Sequence, residues 1–217
     1  MEEQYKPALV SIGFKEWSSV CAAIGAGRQR IILRKGGIAE GRTGFSFKYD
    51  GFFLFPTLFH EQEASVREQF TDVDVPRAEE AIPIRYFAEV LWKGELEDWV
   101  VVRNLEPLHI WKQGVIRERF LYGDEDGAEE GRGSVQMAVI RPWKLGSTWW
   151  VPYHRRYGGC RSWVELPEIP GEVIGVPLQQ VAAQQVAAVQ KVSECDAISG
   201  KDPLGKVLGR LGVNISV

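Results

Sequence analysis

The sequence predicts an α+β fold: a bent mixed or antiparallel sheet, or a partly closed β-barrel, with flanking helices and a helical C-terminal extension. Three observations carry that prediction. Runs such as Ile31-Ile32-Leu33, Phe52-Phe53-Leu54-Phe55 and Ser134 to Ile140 are the β-branched and aromatic stretches that fill buried strands. Other segments repeat apolar residues at three- and four-residue steps, as one face of a helix does. The third is a change of composition: eight Trp and ten Phe crowd the chain up to Trp163, and no aromatic residue follows it.

At 217 residues the chain can bury a sizeable core, and 45% hydrophobic with 25% charged residues is ordinary for a globular protein. We expect a compact α+β domain over 1–170 and a Gln/Ala-rich helical extension over 171–217. The net charge of −3 argues against wholesale attraction to nucleic acid or to an anionic membrane, so charge has to be read locally. Cys21, Cys160 and Cys195 form no CxxC pair, which suits a reducing compartment and no zinc spacing. The start Met1-Glu2-Glu3-Gln4 is acidic and unlike a signal peptide, and no apolar window reaches membrane-helix length. The expected setting is cytoplasmic, with no membrane contact and no cofactor.

Taken in order, Ala8 to Ile24 reads as a helix, with Phe14, Trp17, Val20, Cys21 and Ile24 on one face and Gly25-Ala26-Gly27 as its stop. Ile31 to Leu33 is a strand that ends in Arg34-Lys35-Gly36-Gly37. Two cations beside backbone that glycine lets turn make an anion-binding edge, and equally a solvated strand end. Phe45 to Tyr49 alternates as a half-buried strand, Asp50-Gly51 is a turn, and the strand Phe52 to Phe55 ends at Pro56. Glu61 to Gln69 reads as a short exposed helix. Ile82 to Trp92 should pair in the sheet, and Val100-Val101-Val102 is the strand core of Leu96 to Leu105. Glu106-Pro107 opens a helix running through Arg119, with proline in its first turn. Ser134 to Ile140 is a strand ending before Arg141-Pro142, and Trp149 to Tyr153 and Arg161 to Leu166 complete the domain. Beyond Pro170, Leu178, Val181, Val189 and Val192 mark one amphipathic helix.

Several chemistries lack their motifs. There is no GxxxxGK[ST], no GxSxG, no metal-type His spacing and no Asp/Glu-x-Lys of the restriction-nuclease kind. Histidine is the natural general base near neutral pH, and His60 and His109, with Glu16 as partner, are the candidate catalytic residues of a hydrolase-type enzyme. Cys160, beside Arg155, Arg156 and Arg161, would be reactive if exposed and inert if buried. The richest constellation is electrostatic. Arg34, Lys35 and Arg42 surround the first strand, while Arg155, Arg156, Tyr157 and Arg161 mix cations with aromatics near Tyr153, His154 and Trp163. Cations hold phosphates and rings stack on bases.

One ordered series of motifs is distinctive: Phe14-Lys15-Glu16-Trp17, Leu33 to Ile38, and Leu54-Phe55-Pro56-Thr57 with His60. It continues with Pro107 to Trp111, Arg117 to Phe120 and Tyr157 to Val164. Together these resemble the bacterial domain-of-unknown-function 1802 family, over roughly Gly13 to Leu166. The resemblance implies no activity. It implies association of some members with restriction-endonuclease-type domains, hence DNA-related work in restriction or defence systems. The reading from sequence is a non-catalytic module that binds or senses DNA or RNA. Its alternatives are the hydrolase above and an adaptor that takes a protein partner through the C-terminal helix.

Overall fold

The computed structural model describes residues 8–35, 45–57, 62–67, 81–121, 133–159, 161–174 and 178–181. Strand β1 (Ile12–Trp17) runs straight into helix α1 (Ser18–Gly25), followed by strands β2 (Ile31–Arg34) and β3 (Gly51–Thr57). Helix α2 (Gln62–Ser65), strand β4 (Ala81–Leu96) and helix α3 (Trp99–Asn104) come next. A 3-10 turn at Glu106–Leu108 precedes helix α4 (Gln113–Leu121) and strand β5 (Val135–Pro152). A second 3-10 turn, Arg155–Tyr157, leads to strand β6 (Trp163–Glu165), helix α5 (Gly171–Ile174) and strand β7 (Gln179–Gln180).

The strands form one seven-stranded sheet in the order β2-β5-β4-β3-β1-β6, with β7 beside β5. β1 and β3 are parallel and every other pair is antiparallel, so the sheet is mixed. It bends without closing into a barrel. Register slips between Ile84 and Tyr86 and between Val90 and Trp92 supply local twist along β4 and β5. Two cores lie on opposite faces, and β3 divides them by simple alternation. Phe52 and Leu54 enter a core with Phe14, Ile24, Ile31, Trp111 and Phe120, whereas Phe53 and Phe55 enter one with Phe87, Trp143, Trp149 and Tyr157. Each fully buried ring of this kind contributes about 1.5–3 kcal/mol.

The strands expected at Ile31, Phe52, Ile82 and Ser134 are present, and several local expectations are corrected. Ala8 to Ile24 is a strand followed by a helix. β1 lies between β3 and β6, and Gly13 to Glu16 are all buried, so its apolar residues need not alternate and mimic a helical stripe. Gly13 is needed there, since a Cβ on it would lie 2.8 Å from Val164 Cγ2. The Val100 to Val102 run is helical because the Asp98 side chain accepts from Val100 N at 2.7 Å and Val101 N at 3.4 Å, an N-cap that outweighs β-branched propensity. The helix expected from Glu106 through Arg119 is interrupted at His109–Lys112. Ile110 N donates to Gln29 Oε1, Lys112 N to Ser65 O, and Trp111 bridges Val66, so the extended chain finds its backbone partners across the fold.

β5 does not stop at Pro142 but continues through it. Val181 N donates to Pro142 O at 3.0 Å, and the return bond, which proline cannot donate, is replaced by Arg30 Nη2 to Val181 O at 2.7 Å. β3 likewise runs on through Pro56. Phe45 to Tyr49 keeps the alternation of burial but joins no ladder. Beyond Pro170, Val173 is 1% exposed in the second core and Gln179–Gln180 is a strand where a helix was expected. The rest of the expected tail helix lies outside the described residues.

Candidate nucleic-acid interface

β2 and β6 are the two ends of the sheet, and the bend brings them together. Arg34, the last residue of β2, donates from Nε to Ser162 Oγ at 3.4 Å, just ahead of β6. Its Nη1 lies 3.9 Å from Glu16 Oε1 and its Cζ 5.6 Å from the centre of the Phe14 ring. The neighbouring Lys35 donates from Nζ to Ser134 O and Oγ, both at 3.0 Å. Both cations therefore already have partners inside the protein. Arg42 and His60 lie outside the described residues, as does Cys160.

Ser162 follows Arg161, so the two basic groups read separately in the sequence share one rim. The second group sits on the turn after β5. His154, Arg155, Arg156 and Arg161 are exposed there, and the turn is fastened from beneath. Lys15, 7% exposed, donates from Nζ to Gly158 O at 3.2 Å and Gly159 O at 2.9 Å. Gly159 has φ +75°, a conformation glycine adopts without strain. Tyr157 is 3% exposed and its ring packs 5.3 Å from Phe55, so it is a core residue whose faces are closed to a base. Trp163 is likewise engaged, 4.9 Å from Phe14 and 5.3 Å from Phe52. The open rings ahead of the turn in the chain are Trp150, 56% exposed, and Tyr153, 55% exposed. Trp150 has a sequence signal: adjacent tryptophans in a strand must face opposite sides, and Trp149 takes the core.

Beneath the rim lies a buried polar cluster. Glu16 is wholly buried. Its Oε1 accepts from Trp17 N at 2.9 Å, and its Oε2 meets no donor. Arg119, from α4, lays its guanidinium 4.5 Å over Trp111 and 5.2 Å over Trp17 and donates to Leu33 O at 3.0 Å. Burial lowers its pKa to about 10, with Glu16 pulling upward and Arg34 pushing down. His109 is 1% exposed, and burial, reinforced by the nearby Arg67 and Arg119, lowers it from 6.5 to about 3. It is neutral at physiological pH and its Nδ1 has no partner. A general base must reach the proton it takes, and His109 in this enclosed position reaches no solvent. Cys21 is buried too, and burial and Glu16 push its thiol up. Among the described residues no three His, Cys, Asp or Glu side chains gather as a metal site, and no helix is long and apolar enough to cross a membrane.

Residues 13–194 match the family described as domain of unknown function DUF1802, a span that takes in the whole Gln/Ala-rich run of residues 179–190 and so extends well past the Leu166 limit expected from the motifs. No curated protein matches. Among solved structures, the crystal structure of ASCH from Zymomonas mobilis is similar at 11% identity with a TM-score of 0.40, covering 72% of this chain and 87% of that one. Structures of two single-site mutants of that protein give 10% and 12% identity, TM-scores of 0.41 and 0.38, and cover 72% of this chain and 88% and 90% of theirs.

Proposed function

The chain belongs to the DUF1802 family, a domain of unknown function, and on that premise we propose that it is a non-catalytic module that binds single-stranded nucleic acid. The observation that carries this reading is the turn after β5. Exposed Trp150 and Tyr153 precede exposed Arg155, Arg156 and Arg161 on one stretch of chain, and Lys15 holds the turn in place. Cations take phosphates without regard to sequence, and open rings stack on unpaired bases. Arg34 and Lys35, tied to Ser162 and Ser134, border the same rim and are placed to shape it. The setting adopted for it is a restriction or defence system, as the family resemblance implies, in the cytoplasm, as the sparse, unpaired cysteines suggest.

Fluorescence anisotropy with labelled single strands at several salt concentrations tests it. Replacing Arg155 and Arg156 together by Ala should weaken binding about equally on all sequences. It should also flatten the plot of log affinity against log salt by about 1.4, two released counterions at ~0.7 each. No binding at low salt, or an unchanged double variant, overturns the proposal.

A further inference from the structure

The Glu16 carboxylate supplies something the exposed arginines cannot. Deepening the nucleic-acid reading and resting on it, we propose that Glu16 and Arg34 form a base-reading pocket at the gap between β2 and β6, selective for a base that carries an exocyclic amine. The ligand is an unpaired cytosine in a single strand, held outside by the Arg155 to Arg161 turn.

The acceptor is already in place. Glu16 is wholly buried at the end of β1, where Oε1 is fixed by Trp17 N at 2.9 Å and Oε2 meets no donor. A buried carboxylate oxygen without a donor is costly, and an incoming N–H relieves that cost. Arg34 is the way in. Its side chain is 22% exposed, and it is held by contacts at the long end of their ranges, 3.9 Å to Glu16 and 3.4 Å to Ser162. A guanidinium held by these two contacts can rotate aside and open an approach to the Glu16 carboxylate, while its own N–H groups turn to the ligand. Behind it, Arg119 is held over the Trp111 and Trp17 rings, a fixed cation on the buried side of the cluster.

The hydrogen-bonding pattern sets the preference. Oε2 can only accept and Arg34 can only donate. Cytosine presents an amine beside ring acceptors and satisfies both. Uracil, of the same size, places a carbonyl oxygen where cytosine has its amine, and so sets oxygen against carboxylate. A carboxylate that accepts from the cytosine amine is an established mode of base readout. Ser162, next to Arg161, joins this pocket to the basic turn, so phosphates on the turn and a base at Glu16 can belong to one strand.

Competition between oligonucleotides of about twelve deoxycytidines and the same length of deoxyuridines tests the pocket on the full chain. Wild type should favour cytosine roughly tenfold, with equal salt slopes for the two. Glu16→Gln, which can donate to the uracil carbonyl, should abolish or invert the preference while its salt slope stays that of wild type. A thermal melt of each variant shows that it is folded. Arg34→Lys, which keeps the charge and loses the planar fork, should reduce the preference without changing the slope, and stands in if Glu16→Gln does not fold. Equal binding of both oligonucleotides by wild type, with a steep salt dependence, overturns the pocket and leaves the module intact. A preference that survives in Glu16→Gln and in Arg34→Lys also overturns it. Failure to bind either oligonucleotide at low salt removes both readings.

Discussion

Arg34 Nε lies 3.4 Å from Ser162 Oγ, and this contact spans the gap between the first and last strands of the sheet order, residues 128 positions apart. It aligns the end of β2 with the start of β6 and sets Arg161 beside Arg34 and Lys35. The same guanidinium approaches Glu16, so one side chain touches the basic rim and the buried cluster beneath it. Four further expectations follow from the packing around that junction.

His109 should make the fold acid-sensitive. Its folded value of about 3 lies below the ordinary 6.5, so between those limits the unfolded chain binds a proton that the native chain does not. Its contribution to stability is therefore complete above about 6.5 and is lost as pH falls, by about 2 kcal/mol at pH 5. Urea melts at pH 7 and pH 5 should show this loss in wild type and a smaller one in His109→Gln. Equal losses in the two would place the acid sensitivity elsewhere.

Trp111 is the largest fully buried side chain, anchored on an extended segment and covered by Arg119. Trp111→Ala should cost about 3–5 kcal/mol in denaturant melts. Trp17, at the end of β1 and partly exposed, should cost less. The reverse order would contradict the burial described here.

Trp150→Ala and Tyr153→Ala should each weaken binding to single strands by about 1–3 kcal/mol with the salt slope unchanged. Both side chains stand mostly in solvent, so stability should move by no more than about 0.5 kcal/mol. A stability loss matching the affinity loss would mean that these rings are structural.

The chain beyond Pro170 should matter to the domain as far as Val181, which we propose as its working boundary. Val173 fills the second core, and Val181 exchanges backbone and side-chain bonds with Pro142 and Arg30. A chain ending at Val181 should melt about 4–8 °C above one ending at Pro170, from ~2 kcal/mol of lost burial. Identical midpoints would return the boundary to Pro170.

The sequence by itself determined the α+β class, the strands around Ile31, Phe52, Ile82 and Ser134, and the two groups of cations. Apolar runs and residue types report those directly, because burial on a sheet selects β-branched and aromatic side chains whatever the topology. Tertiary structure alone decided β1, whose burial on both faces erases the alternation that marks a strand, so that Phe14, Trp17 and Val20 read as a helical stripe. It decided Pro142 as well, because a strand tolerates proline when a distant donor, here Arg30, completes the missing bond. And it decided which aromatics face water. Tyr153 and Tyr157 flank the same Arg155-Arg156 pair and are alike as sequence, yet Tyr157 lies against Phe55 and Tyr153 mostly in solvent, a difference set by the direction in which the turn presents each side chain.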